Sequence, residues 1–251
     1  MATNPLSTPS LPPREFTTTR WSVVLLASQG DPQQARAALE QLCTDYWYPL
    51  YAYVRRRGNG MEDAADLTQE FFAKLLASDF ARNVAPDGGR FRSFLLRSLD
   101  RFLIDEWRKG KSLKRGGNAF IESLESLISA QGESCYVGEP ADAETPEHLF
   151  QRAWAETLLR RVLQRLATEF TERAHTRFDV IEPFLSLDGE PASLADAAAA
   201  LGLTLPAFKS LLHRARQRYR ELLIDEVGQT VGSTGDIDDE LRGLLLALRG
   251  D

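Results

Sequence analysis

Between Ser193 and Glu226 the chain reads SLADAAAALGLTLPAFKSLLHRARQRYRELLIDE, a run that few folds accommodate. Ser193, with Asp196 three residues on, has the form of a capping box before an alanine-rich helix. Gly202 stops that helix within Leu201-Gly202-Leu203. Thr204 is placed to cap a second helix, and Pro206 falls in its first turn, where a missing N–H costs least. Phe208, Leu211, Leu212, Ala215, Tyr219, Leu222 and Leu223 recur at spacings of three and four, so one face can bury against the first helix. The opposite face carries Lys209, His213, Arg214, Arg216, Arg218 and Arg220. This is the shape of a helix–turn–helix that reads a DNA major groove. A solvated basic face on an ordinary helical hairpin has the same pattern.

The net charge of −6 over 251 residues excludes a protein that coats nucleic acid through bulk charge. The distribution says more. From Arg90 to Arg115 there are nine cations against three acids, a local balance of +6. From Gly116 to Gln151 there is no Lys or Arg, while Glu122, Glu125, Glu133, Glu139, Asp142, Glu144 and Glu147 accumulate. Two basic segments flank an acidic one, as in a chain that touches polyanion at two places. Cys43 and Cys135 stand far apart, which argues against a disulfide framework or a cysteine metal site. The N-terminus has no signal pattern and Val23 to Ala27 is too short to span a bilayer, so the expected setting is cytoplasmic, without membrane contact.

Helical periodicity recurs along the chain and no convincing strand run appears, so the expected fold is all-α: two helical domains joined by a flexible acidic linker. Residues 1–16 read as a disordered tail. The first domain covers 17–117. It holds a short helix at 20–30, a long one from Pro32 to Arg57 with a kink or junction at Pro49, an acidic–aromatic helix from Met61 to Ala77, and a basic helix from Arg90 to Lys109. Residues 118–145 form the linker. The second domain, 146–228, contains the helix–turn–helix, and 229–251 is a helical extension whose amphipathic pattern from Asp236 to Arg249 suits packing onto the second domain.

These segments, in this order, resemble a bacterial RNA polymerase sigma factor of the two-domain extracytoplasmic-function (ECF) group, over roughly residues 32 to 226. Asp63-Ala64-Ala65-Asp66-Leu67-Thr68-Gln69-Glu70-Phe71-Phe72 is similar to the family's polymerase-binding helix. Arg90-Phe91-Arg92-Ser93-Phe94-Leu95-Leu96, continuing to Asp105-Glu106-Trp107-Arg108, resembles its promoter-melting and −10 helix. Leu201-Gly202-Leu203 and Phe208-Lys209-Ser210, continuing to His213-Arg214-Ala215-Arg216, resemble its −35 reader. YWYPLYAYVRRRG, DLTQEFFAKLL, GRFRSFLL and KRGG look like a planctomycete-type subgroup.

The resemblance implies a transcription initiation factor that binds core RNA polymerase, directs it to promoters and helps melt DNA. It implies polymerase contact through Asp63, Asp66, Gln69, Glu70 and Phe71. It implies −10 contact through Arg92, Arg97, Arg101, Trp107, Arg108 and Lys109, and −35 contact through Lys209, Ser210, His213, Arg214 and Arg216. The loop from Ser78 to Gly89 is placed to trap an unstacked base. The linker would follow the path of nascent RNA. Leu211 stands where many members have arginine, and Arg101 where asparagine is usual, so promoter preference does not carry over. Control by an anti-sigma factor, a regulatory kinase or the C-terminal extension is open.

No cofactor, metal or small-molecule substrate is expected. His148, His175 and His213 lack metal-ligand spacing, no nucleophile–base pairing suggests itself, and the chain is not read as an enzyme. The alternative is a stand-alone helix–turn–helix regulator, which would leave the acidic–aromatic helix without a task. A purely protein-binding adaptor would leave both basic clusters unused.

Overall fold

The computed structural model describes residues 32–76, 90–108, 136, 145–174, 177–186, 191, 193–231 and 236–249. Expectations for the N-terminal tail, the helix at 20–30, the 78–89 loop, Lys109 and nearly all of the acidic linker lie outside these residues. The described part is all-α. The helices are α1 (Pro32–Arg56), α2 (Met61–Leu76), α3 (Phe91–Arg108), α4 (Pro146–Ala174), α5 (Leu194–Ala200), α6 (Leu205–Gly228) and α7 (Ile237–Arg249). Two short 3-10 turns, Phe178–Val180 and Glu182–Phe184, follow α4.

Of the kink or junction expected at Pro49, the structure excludes the junction: α1 runs through the proline as one helix. Leu42, Tyr46, Leu50 and Tyr53 are all buried on either side of the proline, and this packing outweighs the missing backbone hydrogen bond. The turn after α1 is tied by side chains: Asn59 Nδ2 donates to the Val54 carbonyl at 2.9 Å and Arg55 to the Asn59 carbonyl at 2.6 Å. Helices α2 and α3 pack against it through aromatic contacts. Trp47 stacks on Phe72 at 6.0 Å, Tyr46 meets Phe91 edge-on at 5.3 Å, and Phe71 lies 5.8 Å from Phe102.

The two halves share a core. Helix α4 lies along α1, and its apolar residues Phe150, Trp154, Leu158, Val162 and Leu166 recur every fourth position. They join the same buried cluster as Leu42 to Val54 on one side and Phe208, Leu212, Ala215 and Leu222 of α6 on the other. The polar seam beside this core is an ion-pair network. Arg161 donates to Asp45 at 2.5 Å and lies 3.4 Å from Glu226, while Arg165 reaches Glu226 at 3.0 Å and Asp225 at 3.2 Å. Tyr53 donates to Asp100 at 2.6 Å. Burial, then this carboxylate, pushes the phenol well above its ordinary titration range.

Helices α5 and α6 meet at 94°. Ser193 caps α5, accepting from the Asp196 amide at 3.1 Å and donating to its carboxylate at 2.7 Å. The stop is a Schellman motif: Gly202 N–H donates to the Ala199 carbonyl and Leu203 N–H to that of Ala198. Gly202 has φ +65, in the left-handed region, and Thr204 then caps α6. A Cβ at Gly202 would meet no atom within 4 Å, so Gly202→Ala isolates the backbone strain. Its expected cost is about 1 kcal/mol, with Gly202→Asn milder, measured by urea unfolding. A cost equal for both variants would contradict this account.

The C-terminal extension forms α7, close to its expected limits, and packs on α4 and α6. Beyond the expected packing, it also reaches across to the start of α3.

Candidate nucleic-acid and polymerase interface

On α2, Asp63, Asp66 and Glu70 follow one another at spacings of three and four and so share a face. Asp66 is exposed, and Asp63 and Glu70 are half-buried. Glu70 is held by Lys74 at 2.9 Å, and Lys74 also donates to Glu106 of α3 at 2.6 Å while lying over the Phe102 ring. Burial alone would push the Lys74 ammonium down, but the two carboxylates outweigh it and hold its pKa above the ordinary lysine value. Gln69 keeps a buried amide nitrogen that has no partner among the described residues. Phe71 is a correction: its ring is buried against Phe72 and Phe102, so it supports the helix from inside and presents no surface to a partner. An aromatic on an amphipathic helix fits both readings, and only packing separates them.

On α3, Arg97, Arg101 and Arg108 are exposed at spacings that align them along one side. Ile104 is exposed on the same side, and Trp107 stands 77% exposed at the helix end. Cations interleaved with apolar and aromatic surface suit a nucleic acid backbone with unstacked bases. The Arg108–Asp105 pair, at 3.8 Å and open to water, binds the guanidinium only weakly.

Arg92 does not belong to this surface, which corrects the expectation that groups it with Arg97 and Arg101. It is 4% exposed. Its guanidinium donates to both carboxylate oxygens of Glu240, at 2.7 and 2.8 Å, and to Gln151, and it lies 4.5 Å from the Trp154 ring. Glu240, Gln151 and Trp154 lie far from Arg92 in sequence, on α7 and α4. No local pattern announces such a partnership.

In the helix–turn–helix, Lys209, Ser210, His213, Arg214 and Arg216 all lie on the exposed side of α6, opposite buried Phe208, Leu212 and Ala215. Ser210 Oγ donates back to the Pro206 carbonyl at 3.0 Å, and Arg216 makes a long contact of 3.4 Å to the Phe184 carbonyl. Arg218 has a structural task. It grips Glu169 of α4 with two 2.7 Å bonds and Glu221 at 3.0 Å. The Glu169 carboxylate raises the Arg218 pKa still further above its ordinary value, against the effect of burial. That clamp fixes the roll of α6 and so aims the five outward residues. Tyr219, beside it, is pushed up to about 12 by burial.

Residues 44–112 match the Sigma-70 region 2 family, which takes in α2, α3 and the second half of α1. Over 204 residues, 81% of this chain and 68% of the relative, the chain is 26% identical to the ECF RNA polymerase sigma factor SigE of Mycolicibacterium smegmatis. No solved structure matches the chain. The chain thus carries a sigma-70 region 2 in its first half and is similar along most of its length to an ECF RNA polymerase sigma factor.

Proposed function

We propose that the acidic face of α2 docks on core RNA polymerase, the exposed side of α3 engages the −10 region, and the outward side of α6 reads the −35 element. The protein is a transcription initiation factor, and the polymerase performs the chemistry. One observation carries the assignment of surfaces: a sigma-70 region 2 and a helix–turn–helix with an outward cationic side occur in one chain. Asp63 and Asp66 would steer docking and fix register more than they add affinity. Arg97, Arg101 and Arg108 would neutralise phosphates, and Trp107 offers a ring for an unstacked base. Lys209, His213, Arg214 and Arg216 would contact bases and phosphates of the −35 duplex. The motifs quoted above favour a planctomycete-type subgroup, and the cytoplasm, where polymerase and DNA lie, is the fitting compartment.

Reconstitution with purified bacterial core polymerase tests this reading. A stable assembly that starts transcription at defined promoters is expected, with Asp66→Arg weakening assembly. Tight, sequence-specific binding to duplex promoter by the free chain, with no polymerase assembly, would instead make it a stand-alone regulator. Control of activity by an anti-sigma protein, a kinase or the chain's own C-terminal helix is part of the proposal, and the contacts of α7 favour the last.

A further inference from the structure

The contact between α7 and the start of α3 has the wrong chemistry for simple apolar packing. Glu240 is fully buried and faces two arginines from one short stretch. Arg92 offers a bidentate pair at 2.7 and 2.8 Å, and Arg90 approaches at 2.9 Å while also donating to the Asp239 carbonyl at 3.3 Å. Gly243, one turn further along α7, leaves room for the Arg92 guanidinium: a Cβ there would come within 2.8 Å of it. A separate backbone bond ties the start of α3 to the end of α6, where the Phe91 N–H donates to the Thr230 carbonyl at 3.1 Å.

A carboxylate held by two guanidiniums is the protein's nearest equivalent of a phosphate in the same forks. Apolar residues of similar size would hold two helices together at least as well as a buried ion pair, so stability alone does not explain the choice. We propose that α7 is an intramolecular latch, with Glu240 standing in for a DNA phosphate on Arg90 and Arg92 and holding the free factor in a closed form. The idea rests on the sigma-factor reading. In the closed form the two halves share a core, and the leading end of the basic helix is spent on the protein's own acid. Release of α7 returns two cations to the α3 surface and adds two sites at which DNA phosphates displace counterions.

The test uses the full chain, its Glu240→Gln variant and a chain ending at residue 231. Binding of a fluorescent promoter fragment is read at low salt. Amide exchange at Leu244 of α7 is read in the two full-length chains, with helical circular dichroism in parallel. Both variants should stay helical and bind DNA about tenfold more tightly, with a steeper salt dependence, and Glu240→Gln should exchange Leu244 faster. Arg90→Ala with Arg92→Ala in the shortened chain should cancel the gain. If Glu240→Gln leaves Leu244 protected, or frees it without tighter DNA binding, the latch is overturned. The isosteric variant decides alone if the shortened chain does not fold. Assembly with core polymerase separates the two levels. A parent chain that assembles while the variants gain nothing defeats the latch only, whereas no assembly by any form defeats the sigma-factor reading itself.

Discussion

Replacing both Lys209 and Arg214 by alanine should leave polymerase assembly unchanged and lower promoter-specific transcription about 100-fold. Both side chains project from the outward side of α6, on which the structure buries no apolar neighbour. The fold should therefore tolerate their loss. A good base or phosphate contact in the major groove is worth roughly 1–3 kcal/mol, and two contacts near the lower end of that range compound to two decades. The measurement is run-off transcription on a mapped promoter, beside a template whose −35 element is scrambled. On the scrambled template the variant and parent should converge, because the lost contacts had nothing specific to read. Arg249→Ala, a cation at the far end of α7, should change neither. An equal loss on both templates would mean that α6 holds the complex together without reading sequence.

The largest stability effect is expected at Arg161. It bridges Asp45 of α1, which is 6% exposed, and Glu226 of α6, which is 1% exposed. Its own side chain is partly open to water, so the value of the bridge is screened on that side. Arg161→Met keeps the apolar stem and removes the charge, leaving two buried carboxylates with less compensation. The cost should be about 2–3 kcal/mol, toward the lower end of what breaking a buried pair costs. For a chain of this size that corresponds to roughly 4–12 °C in Tm. Pairing it with Asp45→Asn should recover part of the loss, because the double variant no longer buries an under-compensated acid. Urea midpoints for the four chains form a double-mutant cycle. Strict additivity would show that Asp45 and Arg161 are not coupled.

Much of the fold is legible because helices announce themselves locally. The Ser193 cap, the Gly202 stop and the Thr204 cap are readable in order, since each depends on residues within five positions. The outward cations of α6 follow from the same periodicity that buries Phe208 and Leu212. At Pro49 the local rule allows a kink or a junction, and burial of α1 on either side of the proline keeps it one continuous helix. Phe71 and Arg92 misled for a related reason. Periodicity says which side of a helix is apolar. It does not say which partner meets it, nor that an arginine will be drawn inside by an acid 148 residues away.

The sequence by itself therefore determined the all-α class, the limits of α1, α2, α3 and α7 to within a residue or two, and the cationic side of α6. These are properties of short stretches, set by propensity, capping and 3.6-residue periodicity. Only the tertiary structure decided that α4 lies along α1, that Arg161 ties the halves together, and that Glu240 occupies Arg90 and Arg92. Those outcomes depend on charges and rings meeting across long separations in the chain. Their energies become available only after the helices have formed and packed.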